Sequence, residues 1–478
     1  MGVLVLANEE LIKASPQTIF GLFGNEAAAG WFFGAICDSL AEGSIVRFEF
    51  PVEPGIGGLF RGTGRIVSVD APHRIVLQHE SPWRGRVTCT ITPSGEYSRV
   101  RLVAEVPEDA MRWLLRRRGA TLAPESEPGE LALGLLLSQS GPASIFVGAS
   151  EQLARLAVEE INAEGPPGGR PLRLVVGDDC TSPVVGVEES RRLVEEEGCR
   201  VVITNITSAT FEAVRPVIEK TGALLIFSIM NEGGRTGTRL FRLGERPDAQ
   251  IAGVVPRLMA ATGGRHWYLA GDDYCWPRAM HRCAHRIVQK AGGTVVGERF
   301  EPLGTRDFAL VLDAIERSGA ELILSTFVGA DEVEFERQFH AAGLRDRCHT
   351  FAPILDDFTR EHVGDQAAAG VWTVFGYFEG LPTEDNRDFL GRYRARFGQF
   401  APPPSGLSES VYETVHLVAR AARQAHSWEP TDIGRVLGAS TFDGPRGRVR
   451  VDGPDHFEQH LYLAEAVQGG FEIREALC

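Results

Sequence analysis

The side chains best placed for chemistry in this chain stand at the ends of its apolar runs. Ser138-Gln139-Ser140 follows Leu131–Leu137, Thr204-Asn205 closes the run from Arg200, and Phe227-Ser228 closes the run from Ala223. Asp272-Asp273-Tyr274 follows the run from His266, and Ser325-Thr326 and Tyr377-Phe378 close two later ones. These are hydroxyls, amides and rings, groups that hold a small polar molecule by hydrogen bonding and stacking rather than transform it. The loop SQSGPAS adds backbone N–H groups just ahead of a helix, a setting that suits a small polar or anionic ligand.

No catalytic pattern competes with this reading. GxSxG, a Walker loop, HExxH and a GxGxxG strand–turn–helix fingerprint are all missing. Neighbouring side chains on a strand point to opposite faces, so Asp272 and Asp273 do not make an acid–base pair. The eight cysteines (37, 89, 180, 199, 275, 283, 348 and 478) show neither CxxC nor metal-ligand spacing. A binding protein is therefore expected rather than an enzyme, with no cofactor and no metal.

Elements that position these residues can be read outward from Leu131. Residues 131–179 spell a buried strand, a loop, an amphipathic helix, a Gly/Pro turn and a second strand at Leu172–Gly177. The alternation continues through helix 184–197, strand Arg200–Thr204, helix Thr210–Thr221 and strand Ala223–Phe227. It resumes with helix Asp248–Ala261 and runs to a strand at Thr350–Ala352. Strands separated by helices of this length imply parallel sheets covered on both faces. Some 348 residues are too many for one such sheet, so two doubly wound lobes are expected. Ligands then bind outside the carboxyl ends of the strands, where the polar residues above converge.

Residues 119–130, GATLAPESEPGE, have a tether's composition. The residues before it read as a separate α+β domain, 1–118. It has a short helix after Ser15-Pro16, runs at Ser44–Pro51, Gly62–Asp70, Arg74–His79, Arg84–Thr92 and Ser98–Val106, and a closing helix near Glu108. Trp31, Phe32, Phe33, Phe48, Phe60 and Trp83 are its core or the lining of an apolar cavity, and His73 and His79 are expected at strand ends. Residues 1–119 hold 13 basic and 13 acidic side chains, so the whole net charge of −15 lies downstream. That acidity argues against nucleic acid or an anionic membrane as partner. No run approaches the roughly 18 apolar residues of a membrane span, and the N-terminal residues lack a signal peptide's pattern. A cytoplasmic location is the expectation.

The segments LLLSQSGPAS, LAVEEINAEGPPGGRPLRLVVGDD, SATFEAVRPVIEKTGALLIFSIMNEGG, GDDYCWPRAM, LILSTFVGADEVEF, VFGYF and FDGPRGRVRVDGPDHF resemble type I periplasmic binding proteins over residues 131–465. The element Asp273-Tyr274-x-Trp276-Pro277-Arg278 resembles their amide- and urea-binding branch, which includes the cytoplasmic amide sensor of an amidase operon. The resemblance implies lobe 1 at about 131–246 and 378–458, and lobe 2 at about 247–377 and 459–478. It places ligand contacts on Ser138, Ser140, Ser208, Phe227, Ser228, Tyr274, Trp276, Asp331 and Tyr377, and Asn205, at the end of its strand, is a further candidate. Ile206 and Phe227-Ser228-Ile229 depart from the branch, where tyrosines and a threonine are expected, and Ser228 and Asn205 are candidate replacement partners. Asp331 is open between helix N-cap and ligand-amine partner, and Asp178-Asp179 between cleft rim and solvated face.

IKASPQTIFGLF, GTGRIVSVDAPHRIVLQ and TCTITPSGEYSRVRLVAEV resemble the START-like helix-grip superfamily. Together the resemblances imply a non-enzymatic cytoplasmic sensor of an amide, urea or amino-acid-like ligand, with a regulatory protein partner and a homodimer as in the sensor branch. One alternative is the substrate-binding component of an ABC transporter, partnered by a permease, for amides, urea or branched-chain amino acids. A second is a START-like cyclase or lipid-binding protein regulated by the larger unit.

Overall fold

The computed structural model describes residues 3–23, 36–37, 39–53, 56–81, 84–107, 110 and 129–477. They fall into two compact units: Met1–Pro124 grouped with Gln139–Gly141 and Gln399–Pro402, and Glu125–Ser138 with Pro142–Gly398 and Pro403–Cys478.

The first unit is a seven-stranded antiparallel sheet. Its strands are β1 (Val3–Ile12), β2 (Ile36–Cys37), β3 (Ile45–Glu53), β4 (Ile56–Asp70), β5 (Arg74–Ser81), β6 (Gly85–Ser94) and β7 (Tyr97–Pro107), in the order β1-β7-β6-β5-β4-β3-β2. The expected meander is present, and β1 adds an edge strand paired to β7 over ten residues, from Val3–Pro107 to Ile12–Ser98. Ser15 caps a short helix, Pro16–Phe20, by accepting from Thr18 N–H at 3.2 Å, and Pro16 supplies its fixed φ at the first turn. Ile19 and Phe23 pack over Val46, Ile66, Ile75, Leu77, Cys89 and Ile91. His73 lies in the β4–β5 turn, with Nδ1 3.1 Å from the Ile91 carbonyl. His79 is not at a strand end but inside β5, paired with Gly64 and Gly85, where burial lowers its pKa to about 4. Trp31, Phe32, Phe33, Trp83, the closing helix except Ala110, linker residues 119–128 and the side chains of Phe48 and Phe60 lie outside the described residues.

The second unit holds two parallel sheets. The first is β8 (Leu131–Leu137), β9 (Leu172–Asp178), β10 (Val201–Asn205), β11 (Leu224–Phe227) and β12 (Leu240–Arg242), in the order β12-β11-β10-β8-β9. LALGLLL is almost wholly apolar because helices cover both of its faces, and its leucines from Leu133 on are fully buried. The second sheet is β13 (His266–Asp272), β14 (Thr294–Glu301), β15 (Leu322–Thr326), β16 (His349–Phe351) and β17 (Trp372–Phe375), extended by β21 (Leu461–Val467) and β22 (Gly470–Leu477). β21 runs antiparallel to β17, and β22 antiparallel to β21, so this sheet is parallel only as far as β17. Strands β18 (Thr441–Gly444), β19 (Gly447–Val451) and β20 (Phe457–Glu458) make a small antiparallel sheet.

The chain passes between the lobes three times. It leaves the first sheet after β12 for helix Pro247–Thr262, which packs on β17. It returns after β17 to helix Glu384–Phe397, which packs on helix Ser150–Glu164 of the first lobe. It crosses again between β20 and β21.

Candidate ligand-binding cleft

The segments that follow the carboxyl ends of β8 and β15 meet at the junction of the lobes, where packing brings the lobes together. Ala330 N–H donates to the Pro142 carbonyl at 2.9 Å. Ile145 is packed with Val333, Ala352, Leu355 and Phe358 of the second lobe. Gly329, at φ 59°, meets the loop so closely that a Cβ would lie 2.6 Å from the Pro142 oxygen. Only glycine takes that conformation in that space without strain.

At the end of β9 the chain turns sharply. Cys180 and Thr181 both have positive φ, 55° and 58°. The turn is held by Asp178 Oδ1, accepting from Cys180 N–H at 2.9 Å, and Asp179 Oδ1, accepting from Thr181 N–H at 2.7 Å. Two consecutive left-handed non-glycine residues are strained and persist only under such ties. Asp179 is fully buried, which excludes a solvated face for it. Burial first, then the Asp178 charge, pushes its carboxyl up to about 8, against the Thr181 N–H and the nearby Ser138 and Thr210 hydroxyls. Ser138 is buried and donates its N–H to the Asn205 carbonyl at 3.3 Å. Ser140 is buried too.

Several other expected contact residues have their polar atoms engaged in the lobe framework. Asn205 Nδ2 donates to Ser150 Oγ at 2.9 Å and to the Leu407 carbonyl at 3.1 Å, tying β10 to two helices. Phe227 is a core residue, stacked on Phe211 at 4.2 Å between centroids. Ser228 Oγ donates to the Thr204 carbonyl at 3.0 Å. Tyr377 is fully buried and donates its hydroxyl to Asn386 Oδ1 at 2.8 Å. Asp331 is not the N-cap of its helix, a position taken by Gly329. Its Oδ2 instead accepts from the Gly304 and Thr305 N–H groups at 2.6 and 2.9 Å, fixing the loop after β14. Asp331 also stands beside buried Asp272, whose carboxyl is driven well above the carboxylate range by burial and by Asp331. Two such neighbours share a proton rather than both ionise. Asp273 points elsewhere, exposed and paired with Arg278 at 2.6 Å.

Ser208, Tyr274 and Trp276 do come together, at the starts of helices Ser208–Thr221 and Cys275–Lys290, which pack against each other across the lobes. Ser208 Oγ donates to Glu232 Oε2 at 2.7 Å. Burial and the neighbouring Glu232 carboxylate push the Cys275 thiol up to about 12. Half-buried Tyr274 has its phenol raised well above its ordinary range, by burial first and then by Asp272, Cys275, Glu232 and Asp331. Trp276 is 2% exposed, and its indole N–H has no acceptor among the described residues. Glu232 did not stand out in the sequence because it sits among Asn and Gly, where a solvated loop acid is the ordinary reading.

The family model for periplasmic binding proteins matches residues 130–470. The chain belongs to the periplasmic binding protein family. An amino acid binding protein of Pseudomonas aeruginosa is 23% identical over 305 residues, covering 63% of this chain and 80% of that one. The Leu/Ile/Val-binding protein homolog 7 of Brucella abortus is 24% identical over 376 residues, 74% of this chain and 92% of that one. Among solved structures, an ABC transporter solute binding protein from R. palustris in complex with benzoate superposes with a TM-score of 0.65 at 20% identity, covering 73% and 96% of the two chains. A branched-chain amino acid transporter substrate binding protein from Streptococcus pneumoniae in complex with isoleucine gives 0.65 at 20%, covering 73% and 99%. These structures establish the type I fold with parallel sheets. The homologues are substrate-binding proteins, which hold a solute without transforming it.

In this family member the three crossings are tied by one buried cation. Arg446, in the β18–β19 turn, pairs with Glu409 (2.5 Å) and Glu413 (3.2 Å) of helix Gly406–Ala425. It also pairs with Glu245 of the first crossing (4.0 Å) and contacts Gln459 of the third. Glu245 Oε1 accepts from Gly376 N–H of the second crossing at 2.9 Å. A Cβ on Gly376 would lie 2.5 Å from Gln459 Oε1 and 2.6 Å from the guanidinium, so a side chain here would have to displace this network. Burial raises the Glu409 carboxyl, and the Glu413 carboxyl well above its ordinary value, and Arg446 opposes both, holding its own proton more tightly than usual.

Proposed function

We propose that the two lobes of residues 130–470 bind a small polar solute in the cleft between them, and that the chain serves as the substrate-binding component of an ABC transporter working with a permease. The observation that carries the site is the meeting of Ser208 and Glu232 on one lobe with Tyr274 and Cys275 on the other, at the starts of two packed helices. Helix starts and strand carboxyl ends are where doubly wound lobes take their ligands. The relatives' names, for Leu/Ile/Val, amino acids and benzoate, favour a small amino acid or aromatic acid derivative. The Asp273–Arg278 element favours a second reading, in which the solute is an amide or urea and lobe closure signals to a regulatory partner. The N-terminal sheet with its Pro-led helix is consistent with a START-like domain, for which an apolar ligand is the natural candidate.

A thermal-shift panel on the full chain tests the binding role. Leucine, isoleucine, valine, benzoate, acetamide and urea are the first probes, followed by larger amides. A rise in Tm of several degrees with at least one of them, lost in Tyr274→Ala, supports the cleft. A panel without any shift contradicts it.

A further inference from the structure

The Ser208 hydroxyl opens a fourteen-residue helix, and a ligand carboxylate would be well received there. In this chain the position already has a carboxylate. Glu232, on the segment after β11, accepts a hydrogen bond from the Ser208 hydroxyl at 2.7 Å and lies beside Cys275 at the start of the facing helix. The other acids acting on Tyr274 are Asp272 and Asp331, and Glu212 acts on Cys275 together with Glu232. Arg246 feels the Glu232 charge, but its guanidinium hydrogen-bonds Asn231 and the Arg242 (3.1 Å) and Asp455 (2.7 Å) carbonyls. Glu232 therefore puts a carboxylate acceptor at the wall beside Tyr274 and engages the serine donor, leaving the Tyr274 phenol and the Trp276 indole N–H as the neighbouring neutral donors.

We propose that Glu232 determines specificity in the cleft: it fills the position of a ligand carboxylate with the chain's own, so the site takes a solute whose polar end donates N–H and rejects a simple carboxylate. Two costs exclude the acid. It loses the Ser208 donor, and it stands next to a like charge in a partly dry site. An amide or ammonium end instead donates to Glu232. The inference rests on the proposed cleft as the solute site.

Pairs of probes with one polar end test it on the full chain: benzamide against benzoate, and isovaleramide against isovalerate, titrated calorimetrically into wild type and Glu232→Gln. Wild type is expected to bind the amides about tenfold or more tighter than the acids. Glu232→Gln, which keeps an acceptor for Ser208 but drops the charge, is expected to narrow that ratio by about tenfold, chiefly by gaining affinity for the acids. Wild type preferring the acids, or a ratio unchanged in Glu232→Gln, overturns the inference and leaves the binding-protein reading standing. Failure of all four probes to bind either protein counts against both. An unliganded Tm equal to wild type confirms that the variant is folded.

Discussion

Arg446 holds Glu409 by two charge-assisted contacts, Nε to Oε2 at 2.6 Å and Nη2 to Oε2 at 2.5 Å, with both side chains buried where the lobes are joined. One cation here faces three carboxyls, of Glu245, Glu409 and Glu413. Removing it leaves buried acids without compensation, a loss of about 3–5 kcal/mol for a broken buried pair. Arg446→Met is thus expected to lower unfolding stability by that order, measured by denaturant titration. A variant as stable as wild type would show that the acids are already neutral without the arginine.

Asp179 gives the fold a pH dependence of definite sign. Its folded pKa of about 8 stands above the ordinary 3.8, so between these values the native state keeps a proton that the unfolded state releases. Its contribution is complete below 3.8 and falls as pH rises toward 8, by up to about 1.4 kcal/mol per pH unit. Asp179→Asn should therefore raise Tm relative to wild type near pH 8 and match it near pH 4. Equal pH profiles for the two proteins would contradict the assignment.

Gly329 sets how closely the lobes meet beside the cleft. A Cβ there would strike the Pro142 oxygen at 2.6 Å and the Ala143 Cα at 2.8 Å, and φ of 59° is strained for alanine in any case. Gly329→Ala should cost about 1–3 kcal/mol of local strain. It should also weaken solute binding by about tenfold or more, because lobe approach is impeded. Calorimetry with the best solute of the thermal-shift panel measures this, and unchanged affinity would place closure elsewhere.

Framework and cleft residues should separate cleanly on mutation. Phe227→Ala removes a stacked core ring and is expected to cost about 3–5 kcal/mol of stability while sparing affinity in the folded fraction. Ser208→Ala and Tyr274→Ala should do the reverse. Paired melting and binding curves decide, and a Phe227→Ala protein that is stable but cannot bind would move the site toward β11.

What the sequence made legible was whatever is local. The apolar LALGLLL run, the loop after it and the regular helix–strand alternation follow from burial on both faces of a parallel strand. Ser15-Pro16 announced a helix start. Long-range partners were not legible. Asp331, at a helix start, reads equally as a helix cap or a ligand-amine partner, yet its carboxylate serves a loop 26 and 27 residues earlier. Tyr377 looked like a cleft aromatic, but Asn386 takes its hydroxyl inward. Arg446 lies in a turn that reads as a surface hairpin, and its three acids come from distant segments. β1 escaped notice because its apolar residues, such as Val3, Val5 and Leu11, are exposed on an edge strand, so no burial period marks them. The antiparallel β21–β22 pair follows the short strands β18–β20 and gives no hint of which sheet it joins.

Solute binding between the lobes is the central claim, and native mass spectrometry of the full chain tests it most directly. With the panel solutes present, one small-molecule adduct per chain is expected on wild type and none on Tyr274→Ala. Wild-type protein without an adduct at any solute tested, or an adduct undiminished in Tyr274→Ala, would contradict the account.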